Sequence, residues 1–291
     1  MEAGIHVSQD ASSYLFVPAN RPERYGKALS SGADAVIVDL EDAVAPALKD
    51  EARDTLADWL QQHGPQPRLW VRINAADSAW HADDLRCFAG LPLAGIVLPK
   101  AEAADSLRRV ADAMQATHAE RKVLPLIESA AGIANMRELA RQPGVARLAF
   151  GSIDLQVDLG MQCDALESEL AHLRVEMVLA SRLADIAPPV DGVTTSFDDP
   201  AFLEEAVARA RRLGFGAKLC IHPRQVEAVN RGFLPSAEEA AWARAVMQAV
   251  SHSDGGAISL NGKMIDKPVI MQAQRFLARL GEINSTEGSA V

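Results

Sequence analysis

The strongest constraint on the fold of this chain is a recurrence. Short apolar runs, several rich in β-branched residues, alternate with segments of helical character from Tyr14 to His222. The clearest run is Ala35-Val-Ile-Val-Asp39, an unbroken stretch of the kind found in parallel sheets covered on both faces. Further runs lie at 14–18, 68–74, 95–100, 123–128, 148–154, 192–195 and 216–222. Eight strands at spacings of about 25–35 residues, separated by helices, predict an α/β chain folded as a (β/α)₈ TIM barrel. A doubly wound open sheet satisfies the same alternation. The residues at the strand ends separate the two: Asp39, Arg72, Glu128, Asp154 and His222 fall at the C-terminal ends of different strands, where barrel enzymes place their chemistry.

Composition limits the partners. The 291 residues carry a formal net charge of −10 and no lysine/arginine cluster, which argues against nucleic acid and anionic membrane surfaces. The N-terminus lacks the charge and apolar core of a signal peptide, and no apolar run is long enough to span a bilayer. Cys87, Cys163 and Cys220 are odd in number and lie far apart, with neither a metal spacing nor a disulfide framework. They read as small buried hydrophobes in a reducing cytoplasm.

Several positions point to chemistry. Val123-Leu-Pro-Leu-Ile-Glu128 and Leu148-Ala-Phe-Gly151-Ser-Ile-Asp154 both pair an apolar run with a carboxylate. Two such oxygen donors at neighbouring strand ends suit Mg2+, which keeps several waters and binds through one or two carboxylates plus the substrate. A glutamate at a helix start is also an ordinary dipole partner. Asp39, Glu41 and Asp42 crowd three carboxylates into four residues, an arrangement that needs a cation, a basic partner or solvation. Arg72 alternates with Val71 and Ile73; its guanidinium suits a substrate carboxylate or a salt bridge to the Asp39 group, and the two are compatible. The fourth strand ends on Lys100. Asn20 is a plausible cap for a helix opened by Arg21-Pro22-Glu23-Arg24, and Arg21, Arg24 and Lys27 form a local basic patch suited to phosphates. His81-Ala-Asp83-Asp84 reads as the solvated face of a helix over 80–88, and His222 as either a packing residue or a catalytic one.

A barrel does not need the residues beyond its eighth unit. The expected division is therefore a barrel domain over 1–233 and an extension over 234–291, with an amphipathic helix over 236–250, a loop, and a last helix ending near residue 280. The extension is a candidate lid or subunit contact, and residues from about 284 are polar and expected to be disordered.

The motifs together resemble the HpcH/HpaI aldolase/citrate lyase family, in its citrate lyase β-subunit-like branch. The matching residues are Leu15-Phe-Val-Pro18 with Asn20-Arg-Pro-Glu-Arg24, Gly32-Ala-Asp-Ala-Val-Ile-Val-Asp-Leu-Glu-Asp42 and Val71-Arg-Ile-Asn74. Leu98-Pro-Lys100, Ile127-Glu-Ser129, Phe150-Gly151 with Asp154, Ile221-His-Pro223 and Asn261-Gly-Lys-Met-Ile-Asp266 complete the set. The resemblance implies a Mg2+-dependent lyase, with Mn2+ as an alternative ion, that makes or breaks a carbon–carbon bond between an acyl thioester and a 2-oxo acid. It further implies Glu128 and Asp154 as metal ligands, Arg72 as the substrate-carboxylate residue, and Asp266 as an acid/base delivered by a neighbouring subunit of a homotrimer or homohexamer. Glu41, Asp42 and Lys100 are expected at the substrate, and Arg21 and Arg24 at a coenzyme A diphosphate. The favoured substrate is a citramalyl-CoA or malyl-CoA type ester. The alternatives are a citrate lyase β subunit acting on a carrier-bound citryl group within a complex, a thioesterase, an aldolase that needs no thioester, and a non-catalytic subunit.

Overall fold

The protein is described by a computed structural model that covers residues 11–115, 122–252, 258–260 and 263–281. The predicted polar tail from about 284 and the N-terminal ten residues lie outside the described residues. The apolar runs pair in parallel, in sequence order, and the last closes on the first. The barrel strands are β1 (Ser13–Pro18), β2 (Ala35–Asp39), β3 (Gln66–Arg72), β4 (Leu93–Leu98), β5 (Lys122–Ile127), β6 (Ala149–Phe150), β7 (Val190–Asp191) and β8 (Ala217–Cys220). The predicted (β/α)₈ barrel is therefore the fold, and the open sheet is excluded by the β8–β1 pairing of Ser13 with Lys218 and Leu15 with Cys220.

The covering helices are α1 (Tyr25–Leu29), α2 (Lys49–His63), α3 (His81–Phe88), α4 (Ala104–Gln115), α5 (Ala130–Leu139), α6 (Ser152–Leu159), α7 (Ala171–Leu183), α8 (Pro200–Leu213) and α9 (Val226–Phe233). The start of α1 differs from expectation. A 3-10 turn at Pro22–Arg24 precedes it, capped by Arg21 without a side-chain hydrogen bond rather than by Asn20.

Side chains alternate across each strand, so one parity fills the barrel. Tyr14, Ile37, Trp70, Val97, Leu124, Leu126, Ala149, Val190, Ala217 and Leu219 form that inner core. Trp70 crosses it because Gly95 leaves room: a Cβ there would lie 2.5 Å from the indole ring and 2.1 Å from the Lys122 carbonyl oxygen. At the N-terminal end, the buried Arg147 donates to the carbonyls of Ala11 and Pro188 and stacks on Tyr14.

β6 and β7 depart most from the predicted runs; β3, β4 and β8 differ from theirs by only one or two residues at each end. β6 ends at Phe150 because Gly151 N makes a last ladder bond to Ile127 O at 2.9 Å and α6 begins at Ser152. The strand expected at 192–195 is β7 at Val190–Asp191. The Pro189 carbonyl accepts from Gly216 N, so pairing starts as soon as the double proline ends.

The chain divides into two compact units at Asn230/Arg231. In the second, α10 (Ala237–Ser251) packs on α11 (Lys267–Arg279) around Ala243, Val246, Ile265, Ala273 and Leu277. Trp242 meets Phe276 edge to face, and β9 (Ile258–Leu260) pairs antiparallel with β10 (Lys263–Ile265). Ser236 and Glu239 form a reciprocal capping box at the start of α10. Among the described residues no helix is long and apolar enough to cross a membrane.

Candidate active site

The inner parity, carried one layer past the core, reaches the C-terminal mouth. There it brings up Asp39 on β2, Arg72 on β3 and Glu128 just beyond β5, with Gly151 and Gly192 on the following turns. Asp39 and Arg72 are direct register neighbours. Arg72 Nε and Nη2 donate to Asp39 Oδ1 and Oδ2 at 2.6 Å each, a two-pronged pair that fixes the guanidinium plane. Its remaining arm, Nη1, lies 3.1 Å from Glu41 Oε2 and 3.7 Å from Asp42. The salt-bridge reading of Arg72 therefore holds, with one arm left facing the mouth.

The acidic turn is arranged by cations. The buried Lys49 donates Nζ to Leu40 O and Glu41 O at 2.8 Å and to Asn74 Oδ1 at 2.5 Å, clamping the turn from beneath. Glu41 is 6 % exposed, and its two oxygens have no hydrogen bond of ordinary geometry, although Arg72 and Lys100 Nζ (3.3 Å) stand beside them. Burial first, and then Asp42 and Asp39, push its carboxyl above the usual range against the pull of Arg72 and Lys100.

Glu128 is the most perturbed carboxylate at the mouth. Burial, then Glu41, then Asp154 push it up to about 8, against the Lys100 N–H and Arg72. Lys100 N donates to Glu128 Oε1 at 2.7 Å from a left-handed backbone (φ +47°), a conformation that costs a non-glycine residue about 1–2 kcal/mol. Gly151 packs flat on the same carboxylate: a Cβ there would lie 2.6 Å from Oε2. Asp154 is exposed and sits on the first turn of α6 rather than at the strand end, because β6 stops early.

The donor set fits magnesium. It consists of hard carboxylate oxygens, one held in place by a backbone N–H, in surroundings where negative charge is in excess. A divalent cation there would reverse the rise at Glu128. Among the described residues no group of three or more His, Cys, Asp or Glu side chains is placed to enclose an ion.

The other predicted residues are dispersed. Arg21 and Arg24 lie on the turn after β1, about half exposed, each only 3.8–3.9 Å from Glu23. Asp266 belongs to the second unit, where it is exposed and caps α11 by accepting from Val269 N at 3.2 Å. His222 caps the turn after β8 and stacks on Phe197. The acidic stretch after β3 also departs from expectation: Asp84 is not solvated but 1 % exposed, accepting from Asn74 N and Nδ2 and paired with Arg53. Asn74, which Lys49 also holds, needs that buried acceptor. Among the cysteines only Cys220 is buried; Cys87 and Cys163 are partly exposed.

Sequence reasoning missed Lys49 and a buried ion cluster outside the barrel wall. Asp191 and Lys218 have the outward parity, and Arg174 Nε donates to Asp191 Oδ1 at 2.8 Å. Glu167 pairs with Arg174, and Arg209 lies 3.5 Å from Asp191. The signal was available in the sequence, since Lys218 interrupts an apolar strand and a fully buried charge requires a partner.

Residues 12–223 match the HpcH/HpaI aldolase/citrate lyase family. The chain belongs to that family. A relative within it, the citrate lyase subunit beta-like protein of Mycobacterium tuberculosis, is 38 % identical over 281 residues, covering 94 % of this chain and 96 % of the relative. A (3S)-malyl-CoA thioesterase of Cereibacter sphaeroides is 32 % identical over 280 residues, with coverage of 94 % and 96 %. The crystal structure of Mycobacterium tuberculosis CitE in complex with magnesium, acetoacetate and coenzyme A superposes with a TM-score of 0.82. It is 36 % identical and covers 94 % of this chain and 100 % of its own. Similarity to these HpcH/HpaI relatives thus extends beyond the barrel into the C-terminal segment.

Proposed function

We propose that this chain is a Mg2+-dependent carbon–carbon lyase that cleaves a 3-hydroxy-3-carboxyl acyl-CoA, of citramalyl-CoA or malyl-CoA type, to acetyl-CoA and a 2-oxo acid. The observation that carries the reading is the Glu128 carboxylate, buried in excess negative charge beside Asp154 and the Arg72 pair at a barrel mouth. Support for the ligands comes from a family relative bound to magnesium, acetoacetate and coenzyme A.

In this reading Glu128 and Asp154 hold Mg2+. When bound, the ion supplies Lewis-acid stabilisation of the negative charge that develops on the substrate's hydroxyl oxygen. Arg72, its plane set by Asp39, offers Nη1 to the substrate carboxylate without reorganising. Lys100 and Glu41 border that carboxylate, with Asp42 on the solvent side. Arg21 and Arg24 contact the coenzyme A diphosphate. Asp266, delivered from a neighbouring copy in a trimer or hexamer, takes the hydroxyl proton. The O–H electron pair becomes the carbonyl bond of the 2-oxo acid, the carbon–carbon pair passes to the thioester as an enolate, and a proton then gives acetyl-CoA.

The test is cleavage of citramalyl-CoA, malyl-CoA and citryl-CoA by the purified full chain with Mg2+, with and without chelator, beside Glu128→Ala. Chelator-sensitive acetyl-CoA release that is absent in the variant is expected. Normal turnover by Glu128→Ala would remove the metal-site assignment. A second reading, hydrolysis of the thioester, is favoured by the similarity to a (3S)-malyl-CoA thioesterase. It predicts free coenzyme A thiol in place of acetyl-CoA. Silence on all three esters would favour a carrier-bound substrate within a complex.

A further inference from the structure

Asp154 stands on the first turn of α6, an eight-residue helix whose N-cap, Gly151, has no side chain with which to cap it. A carboxylate that shares an ion with Glu128 needs that turn held firmly. The adjoining Ser152 is 1 % exposed and donates Oγ to Glu167 Oε1 at 2.9 Å. One turn along, Gln156 Nε2 donates to the same oxygen at 3.2 Å. Gly192, just past β7, makes the seat for Ser152: a Cβ there would stand 2.6 Å from its Oγ.

Glu167 is itself braced. It adopts a left-handed backbone (φ +51°, ψ +44°) before the turn that leads into α7. Its Oε2 accepts from Arg174 Nη2, and Arg209 Nη2 lies 3.6 Å away. Arg174 donates to Asp191 on β7, and Lys218 Nζ on β8 donates to Gly192 O at 2.6 Å. A continuous chain of polar contacts therefore runs from the outer barrel wall through Arg174 and Glu167 to two side chains of α6.

We propose that Glu167 is a positioning residue for the metal site, holding Ser152 and Gln156 and thereby setting Asp154 opposite Glu128. The proposal rests on the reading of Glu128 and Asp154 as metal ligands. Outer contacts that orient ligands are typically worth about 10–100-fold in metal affinity.

The experiment titrates Mn2+ into the substrate-free full chain, reading free Mn2+ by electron paramagnetic resonance, with thermal unfolding recorded on the same samples. Ser152→Ala and Glu167→Ala are expected to weaken Mn2+ binding about tenfold or more. Glu167→Gln, whose amide oxygen still accepts from Ser152, is expected to stay within about threefold of wild type while losing thermal stability with its Arg174 ion pair. Ser152→Ala leaves the ion cluster intact and so tests the link even where Glu167→Ala fails to fold. Wild-type Mn2+ affinity in Ser152→Ala overturns the proposal, as does lowered stability with unchanged affinity in a folded Glu167→Ala. Failure of the underlying reading looks different: Asp154→Asn then binds Mn2+ as wild type does, which overturns both.

Discussion

Gly151→Ala is the most direct probe of the site, because the structure states what the added methyl group would meet. Its Cβ would lie 2.4 Å from Glu128 Cβ and 2.6 Å from Glu128 Oε2. Unstrained carbon–carbon contacts lie at about 3.5–4.0 Å, so a gap of roughly 1 Å must open. The backbone itself is no obstacle, since φ of −93° and ψ of 73° do not require glycine. Neither partner can retreat freely. Gly151 N is bonded to Ile127 O in the barrel wall, and Glu128 Oε1 is bonded to Lys100 N. Rotation of the side chain does not move Glu128 Cβ, so the two backbones must part and the Glu128 carboxylate shifts with them. Overpacking of this kind costs about 1–3 kcal/mol, which for a chain of this size lowers Tm by on the order of 4 °C. A displacement of about 1 Å at a reacting centre costs about 10²-fold in rate. Mn2+ titration, thermal unfolding and kcat/KM should move together in this variant. Gly90→Ala, where nothing lies within 4 Å of the added Cβ, should leave all three unchanged. Wild-type metal affinity and turnover in Gly151→Ala would refute the placement of the Glu128 carboxylate against this turn.

Asp191 should make the barrel acid-sensitive. Burial alone would raise its carboxyl, but Lys218 and then Arg174 and Arg209 hold it at about 2, below the ordinary 3.8. A folded-state value below the unfolded one stabilises fully above pH ~5, and the benefit shrinks as pH falls from there toward 2. The contribution is about 2 kcal/mol. Chemical unfolding between pH 6 and 3 should show about half of that contribution, about 1 kcal/mol, lost in wild type and a flatter dependence in Asp191→Asn. The variant should also be less stable throughout, by about 3–5 kcal/mol, since Arg174 and Lys218 lose a buried counter-charge. Equal slopes for the two proteins would contradict the assignment. Arg72→Lys should lower kcat/KM by about 10²-fold or more with Mn2+ affinity nearly unchanged, because an ammonium cannot grip Asp39 with two prongs while presenting a third donor. Steady-state kinetics beside the metal titration checks this, and retention of wild-type kcat/KM would show that the third arm binds nothing.

The strand and helix pattern from Tyr14 to His222 was legible because it is local. A β-branched run such as Ala35–Asp39 and an apolar periodicity such as that of Pro200–Leu213 arise from neighbours along the chain. The mouth residues Asp39, Arg72 and Glu128 were legible for the same reason, since parity within a strand carries them past the core. Asp154 follows an apolar run in the sequence but belongs to a helix, because where β6 stops depends on a ladder bond to a different strand. Asp84 has the sequence context of a solvated helix face but is buried, because its oxygens are needed by Asn74, ten residues away, and by Arg53, thirty-one away. The cluster of Asp191, Arg174, Lys218 and Glu167 draws on three separate elements and the turn before α7. Its members look like isolated charges until β7, β8 and α7 are side by side. Sequence alone thus determined the order of strands and helices and, in well-defined strands such as β2 and β3, which charges reach their ends, since both follow from backbone periodicity. Only the tertiary structure decided which charges are buried and who neutralises them, because desolvation and its compensation are properties of neighbours distant along the chain.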